Sequence, residues 1–338
     1  MRSIKLDAYK GLACIFVVFI HCMFPGTVGT VVKGIARFAV PLFFMSAGFY
    51  CFCEDSNVIG YALKKVKHVV LLLIAGSVPW LAYEFIMNCF VGNKISISQY
   101  LTKLFAVENF TDMLLWNNLS GFLGGGGGLL FVVTLIYCYL GYMVMVKLKA
   151  ERVMPLLIVL TLVIHQLVAM RLIVGTSNYN VMYETNYWLF GFPMFTIGYM
   201  MRKYDLPRLL QKRKISSRGL IMFGIVVSIV ECLTYDSQLY IGSILVAVMM
   251  ICDAQLNTSD SRLTRFMAYI GNRLSFVIYV MHYMIMVLLD KIVLKVFHWD
   301  AFVGSYIRPV VILFATLMFA QVYVYLKEKI KYVYSKTN

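Results

Sequence analysis

Apolar residues fall in long runs along this chain, separated by short polar stretches that carry most of the lysine and arginine. Ten runs are long enough to be read as membrane-spanning helices, which need about 17–25 mostly apolar residues each. They cover approximately residues 6–24, 35–53, 66–90, 129–148, 154–174, 187–201, 219–235, 239–252, 269–294 and 307–326, the sixth and eighth being short. Trp80, Trp188 and many tyrosines lie near run ends, where interfacial aromatics belong. The pattern predicts an all-α polytopic membrane protein of about ten transmembrane helices, in one integral-membrane domain over residues 1–338.

Composition sharpens this. Hydrophobic residues make up 61% of the 338 and charged residues 14%, with a mean hydropathy of +0.79. A soluble domain is about half apolar and a quarter charged, so a soluble enzyme with an added anchor is excluded. The net charge of +15 is read through the positive-inside rule rather than as a nucleic-acid surface. If the ten runs alternate, one side receives the amino terminus, the lysines at 64–67 and 147–152, the seven-cation segment 202–218, the arginines at 262–273 and the carboxy-terminal lysines. That side holds twenty-three of the 31 Lys and Arg, and the other holds eight. Both termini are therefore expected in the cytoplasm, with the chain in the plasma membrane. The first 24 residues look like a secretory signal, but no small-x-small cleavage site follows, so they are read as a retained span.

The segment 91–128 is the longest outer connection, and it contains five consecutive glycines, Gly124 to Gly128. Such a run does not favour helix. Leu129 and Leu130 follow it where a phosphate-cradling loop would have lysine. The eight cysteines sit mostly in apolar runs and behave as small hydrophobes. Cys51 and Cys53 lack the spacing of a zinc or redox pair, so no disulfide framework and no metal are expected.

Three stretches carry a resemblance. The opening SIKLDAYKGLACIFVVFIH has Asp7, Lys10 and Gly11, then His21 eleven residues after the lysine. The second, RFAVPLFFMSAGFY, has Arg37, Pro41, Phe43, Phe44, Ser46, Gly48 and Phe49. The third, GNRLSFVIYVMH, has Ser275, Tyr279 and His282. Together they resemble the membrane-bound acyltransferase-3 family, the integral-membrane O-acyltransferases of bacterial surface polysaccharides, over essentially the whole chain. Departures are local. Ala47 stands where the common pattern has Ser, Lys64-Lys-Val-Lys67 stands where the family usually has Arg-x-x-Arg, and GGGLLF replaces an aromatic fourth-span start. Lysine keeps the charge but loses the bidentate fork.

The resemblance implies a cytoplasmic acyl-CoA donor, acetyl-CoA in the commonest case, and an acceptor hydroxyl on a cell-envelope glycan or lipid-linked sugar. His21 is the candidate general base, proton relay or transient acyl carrier, because imidazole titrates near neutral pH; helix packing is the plain alternative. Arg37 is read as a cation for the acyl carbonyl or acceptor, or as a snorkelling residue. His282 either pairs with His21 or packs. Glu84 lies in an apolar run, where a carboxylate must find a proton or a cation, and Glu231 raises the same question. Lys10 with Asp7, three residues apart on one helix face, and Lys64 with Lys67 are the candidate donor-phosphate contacts; interfacial snorkelling is the alternative. His165, His68 and His298 have no motif around them. The 202–218 segment is expected to touch anionic lipid or to steer the donor. With no further catalytic domain in view, the chain either acylates its acceptor directly or works with a separate envelope-biosynthesis partner. An exporter of a glycan or lipid, without bond chemistry, is the competing reading.

Overall fold

The computed structural model describes residues 3–52, 58–91, 95–123, 129–258, 261–296 and 301–337, all helix, turn or irregular chain with no strand among them. Cys53, Gly124 to Gly128 and His298 lie outside the described residues. The helices are α1 (Ile4–His21), α2 (Gly26–Ala36), α3 (Ala39–Phe49), α4 (Val58–Ile86), α5 (Ile97–Leu104), α6 (Val107–Trp116), α7 (Ser120–Leu123), α8 (Leu130–Lys147) and α9 (Met154–Ala169). They continue with α10 (Met182–Thr185), α11 (Phe192–Lys203), α12 (Leu206–Lys212), α13 (Ser217–Thr234), α14 (Ile241–Leu256), α15 (Arg262–Tyr269), α16 (Ser275–Val296) and α17 (Ala301–Thr337). One wide π turn, Ile270–Leu274, joins α15 to α16, and another, Tyr187–Gly191, leads into α11.

Every one of the ten apolar runs coincides with a helix. Six continuous helical stretches are long and apolar enough to cross a bilayer: Gly26–Phe49, Val58–Phe90, Leu130–Lys147, Ser217–Thr234, Arg262–Lys291 and Ser305–Val333. Met154–Ala169 and Ile241–Leu256 are apolar but shorter, and α1 carries Lys5, Asp7 and Lys10. The outward faces are apolar too. Leu71, Ile74 and Val78 of α4 are each more than half exposed, a surface that marks contact with lipid rather than water. The chain is a membrane protein.

Two details depart from the sequence reading. The first run was expected to extend to residue 24, but α1 stops at His21, where the Cys22 N–H bonds the Val18 carbonyl. Pro25 explains the stop, since the residue before a proline avoids helical backbone. The 202–218 segment is mostly helical: α11 continues through Lys203 and α12 fills much of the remainder.

The helices form two compact units, each assembled from separate pieces of chain. The first contains residues 1–42, 207–234 and 240–338. Here α1 crosses the π turn between α15 and α16 backbone to backbone. A Cβ on Gly11 would lie 2.0 Å from the Met267 carbonyl oxygen, and one on Gly271 would lie 2.0 Å from that of Asp7. Only glycine permits that approach. Near its start, α1 is fastened to the last turn of α14. Asp253, fully buried, meets Lys5 Nζ at 2.5 Å and accepts hydrogen bonds from Tyr9 at 2.5 Å, Ser217 at 3.1 Å and Asn257 at 2.8 Å. Ser3 caps α1 through the Leu6 N–H and also donates to the Ala254 carbonyl. Glu231 ends its search inside this unit by accepting the N–H groups of Ile241 and Gly242, so that a carboxylate caps the positive end of α14.

The second unit contains residues 43–206 and 235–239. α3 and α11 approach through Gly48 and Gly198, whose added Cβ atoms would strike the carbonyl oxygens of Phe195 and Met45. Its polar anchor is Glu184, fully buried. One carboxylate oxygen accepts from Arg171 at 3.0 Å and Tyr179 at 2.5 Å; the other accepts from Ser237 at 2.9 Å and the Gln238 N–H at 2.7 Å. Burial alone pushes such a carboxyl up, but the bonds from Tyr179, the Gln238 N–H and Arg171, with nearby His165, outweigh it and hold Glu184 below its ordinary value. The Tyr179 hydroxyl is pushed up to about 12 by burial and by its bond to that carboxylate.

Two stability predictions follow from these anchors. Asp253→Ala leaves Lys5 buried without its counter-charge, which is expected to cost about 3–5 kcal/mol. A thermal-unfolding midpoint in detergent equal to that of the unaltered chain would show that the anchor contributes nothing. Glu184 has a depressed value in the folded state, so its contribution is complete above the ordinary carboxylate range and disappears as pH falls through the folded value. The unfolding midpoint should therefore drop on acidification, and Glu184→Gln should lower it at neutral pH while flattening that acid dependence. An equally steep acid slope in Glu184→Gln would assign the acid sensitivity to other groups.

Candidate functional site

The first unit brings two of the sequence-selected histidines together. His21 ends α1 and is exposed, whereas His282, in the middle of α16, is 1% exposed. Their ring centroids are 5.0 Å apart. Tyr283 stands edge-on to His21 at 5.9 Å, and Tyr279 lies 6.1 Å from His282 on the preceding turn. The i, i+3 spacing of Tyr279 and His282 places them on one face of α16, and that face meets the end of α1. Tyr283 has no counterpart in the sequence motifs and is found only from the fold.

Hydrogen bonding fixes the proton positions on His282. Its Nδ1 lies 3.0 Å from the Ile278 carbonyl oxygen one turn back. A carbonyl can only accept, so in the neutral ring Nδ1 carries the hydrogen and Nε2 presents a lone pair. That Nε2 is buried and has no hydrogen-bond partner among the described residues. A buried acceptor left unpartnered costs about 1–3 kcal/mol, and positions that tolerate such a cost are often functional.

Arg37 follows α2, and its backbone N–H closes the last turn on the Lys33 carbonyl. It is 7% exposed, so it is not a snorkelling surface cation. It lies close enough to His21 for the two to interact electrostatically. A second cation near the end of α1 is Arg308, which grips Asp290 through a fork of 2.7 and 2.6 Å and acts electrostatically on Cys22.

The remaining candidates sit elsewhere. Asp7 is buried and Lys10 half-buried in the first turns of α1. About 16 Å of helix separates Lys10 from His21. Lys64, Lys67 and Glu84 belong to the second unit. Both lysines are exposed, and the Glu84 carboxylate accepts a hydrogen bond at 3.0 Å from the amide of Asn88 one turn on. His165, with no motif around it, is fully buried in that unit, 4.0 Å from Glu184, and neither ring nitrogen has a hydrogen-bond partner among the described residues. His68 is exposed. Asp253 and Glu184 went unnoticed in the sequence because each is an isolated acid with no recognisable spacing. Among the described residues no three His, Cys, Asp or Glu side chains gather as a metal site would require.

Chemically, the first unit sets a lone pair, a second imidazole, phenols and a buried guanidinium around the end of one helix, enough for a proton transfer beside a developing negative charge. No curated protein and no solved structure matches this chain. A sequence family described as an acyltransferase domain does, over residues 3–325, which takes in the His21, Arg37 and His282 motifs alike. With nearly its whole length matched, the chain belongs to the acyltransferase-3 family.

Proposed function

We propose that this protein transfers an acyl group, acetyl in the first instance, from cytoplasmic acyl-CoA to a hydroxyl of a cell-envelope glycan or lipid-linked sugar. The observation that carries the reading is the pairing of His21 with His282, whose Nε2 lone pair is buried and without a hydrogen-bond partner among the described residues, with Arg37 in electrostatic reach of His21. His21, exposed at its helix end, takes the proton from the acceptor hydroxyl. The hydroxyl oxygen attacks the thioester carbonyl, and Arg37 offsets the negative charge that develops on the carbonyl oxygen. The C–S bond then breaks and the thiolate of CoA leaves, taking the proton that His21 accepted from the hydroxyl, so that both imidazoles end neutral. His282, held in one tautomer by Ile278, orients the His21 ring and shares that proton through Nε2 until the thiolate takes it. Asp7 and Lys10 at the other end of α1 are assigned to the donor's phosphates; within the second unit Lys64 and Lys67 are the candidates for such a contact and Glu84 is a further catalytic candidate.

In this proposal the ten helical runs are all spans, both termini lie in the cytoplasm, and the membrane is the plasma membrane. The support is the coincidence of every run with a helix and the asymmetry of lysine and arginine across the alternation. Acyl transfer is direct or completed by a separate envelope-biosynthesis protein.

The test uses the full chain purified in detergent or nanodiscs with acetyl-CoA and envelope glycan. Release of CoA thiol that depends on the glycan is expected, and His21→Ala should lower it by about 10²–10⁴-fold, the range for a lost general base. His282→Asn, which cannot supply the lone pair in the same place, should reduce kcat with little change in KM for acetyl-CoA. Glycan movement across the membrane that persists in His21→Ala, with no thiol released by either protein, would make the chain an exporter instead. For topology, a cysteine introduced at Lys336 should be labelled by an impermeant maleimide only in inverted vesicles, and one at Lys103 only in intact cells; the same sidedness for both would break the ten-span path.

A further inference from the structure

The wall of the Asp253 anchor encloses a second feature, at the opposite end of α1 from His21. A cavity of about 510 Å³ is lined by Lys5, Tyr9, Arg218, Ile221 and Met222. A neighbouring cavity of about 400 Å³ shares Arg218 and is edged by Gln211, Lys214, Ser216 and Asn257. Both lie wholly in the first unit. Their chemistry changes from the turn before α13 into its first turns. Polar and cationic groups predominate at Lys214 to Arg218, with Ile215 and Leu256 the apolar exceptions. Apolar ones follow, at Ile221 and Met222.

Charge is in excess here. Lys5 and Arg218 both face the single carboxylate of Asp253, Lys5 at 2.5 Å and Arg218 Nε at 3.7 Å. Asp253 is already saturated by Tyr9, Ser217 and Asn257. The Arg218 side chain keeps 73% of its surface open, so its outer N–H groups remain available to an anion. Beyond the cavity the exposed residues Met222, Val226, Val230 and Leu233 form one stripe along α13 at three- and four-residue steps. The stripe begins at the cavity and runs away from the cations.

We infer that these two cavities hold one anionic phospholipid. Its phosphodiester sits between Arg218 and Lys5 with the Tyr9 side chain alongside, its polar headgroup enters the cavity edged by Lys214, Ser216 and Asn257, and an acyl chain lies along the Met222–Leu233 stripe. A nucleotide phosphate would satisfy the cations equally well. It would leave the apolar wall and the stripe unused, and the order of polar then apolar lining along one helix is that of a lipid standing in its leaflet. Attraction of interfacial basic residues to anionic lipid supplies the driving force.

The test uses the full chain, delipidated in a non-ionic detergent, with lipid binding read by native mass spectrometry and thermal midpoint. Phosphatidylglycerol should bind and raise the midpoint where phosphatidylcholine does not. Arg218→Gln should weaken that binding by about fivefold, the value of one interfacial charge, and so should Lys214→Gln. Lys214→Gln should not alter the midpoint without added lipid, because its side chain is exposed; Arg218→Gln, which also loses its contact with Asp253, is scored against its own lipid-free midpoint. Equal binding of the two lipids, or wild-type affinity in both variants, would overturn the assignment. So would displacement of phosphatidylglycerol by CoA or by inorganic phosphate, which would make this a soluble-phosphate site. That last result is separable from the acyl-transfer reading, since thiol release with His21 dependence is scored in a different assay.

Discussion

The position of α1 governs the first unit. A helix can rotate or slide in lipid unless something polar or something tightly packed prevents it, because apolar side chains gain little by choosing one another over lipid tails. Two devices fix α1. The Lys5–Asp253 contact and the Tyr9 hydrogen bond to the same carboxylate fasten its start, and the Gly11–Gly271 crossing locks its rotation by backbone contact. With both set, the far end has one position, and His21 comes to rest against His282 and Tyr283. The catalytic reading thus depends on an ion pair more than four helical turns away.

Carboxylates elsewhere follow the same rule. Glu184 satisfies its oxygens with a guanidinium, a phenol, a hydroxyl and a backbone N–H, while the half-buried Glu231 takes the two amides at the start of α14. Glu184 joins segments more than fifty residues apart and so constrains topology as well as energy, whereas Glu231 fastens one helix to the next. An acid without such partners in hydrocarbon would be neutral or unfolded. Among the described contacts of the other two in-run acids, Glu84 accepts from the Asn88 amide and Glu231 from the amides at the start of α14.

How much the sequence disclosed differs by kind of feature. Helix locations were legible because apolar length is a local property; all ten runs are helices, though six alone meet the length and apolarity of a span outright. Arg37 was recognisable from its motif, but its burial was not, because burial depends on what packs around it. The end of α1 at His21 was readable in principle from Pro25. Neither Asp253 nor Glu184 was legible, as the farthest partner of Asp253, Lys5, lies 248 positions away and that of Glu184, Gln238, lies 54 away, and nothing local marks them. The same holds for Tyr283, an ordinary tyrosine until α16 turns it towards α1.

Geometry along α1 also constrains any route for the acyl group. At 3.6 residues per turn, the eleven-residue step from Lys10 to His21 brings the two within about 20° of one another around the helix, so they share a face. Cys14, Val17 and Val18 lie between them on that face, each no more than 2% exposed, and the glycine crossing at Gly11 closes the space beside Lys10. Recognition of charge at one end of α1 and proton chemistry at the other are therefore joined by a filled strip of helix rather than an open channel. For the proposed reaction the donor arm must either part this strip, which the stiff β-branched side chains of Val17 and Val18 resist, or reach His21 from the end of α1, where that residue is exposed.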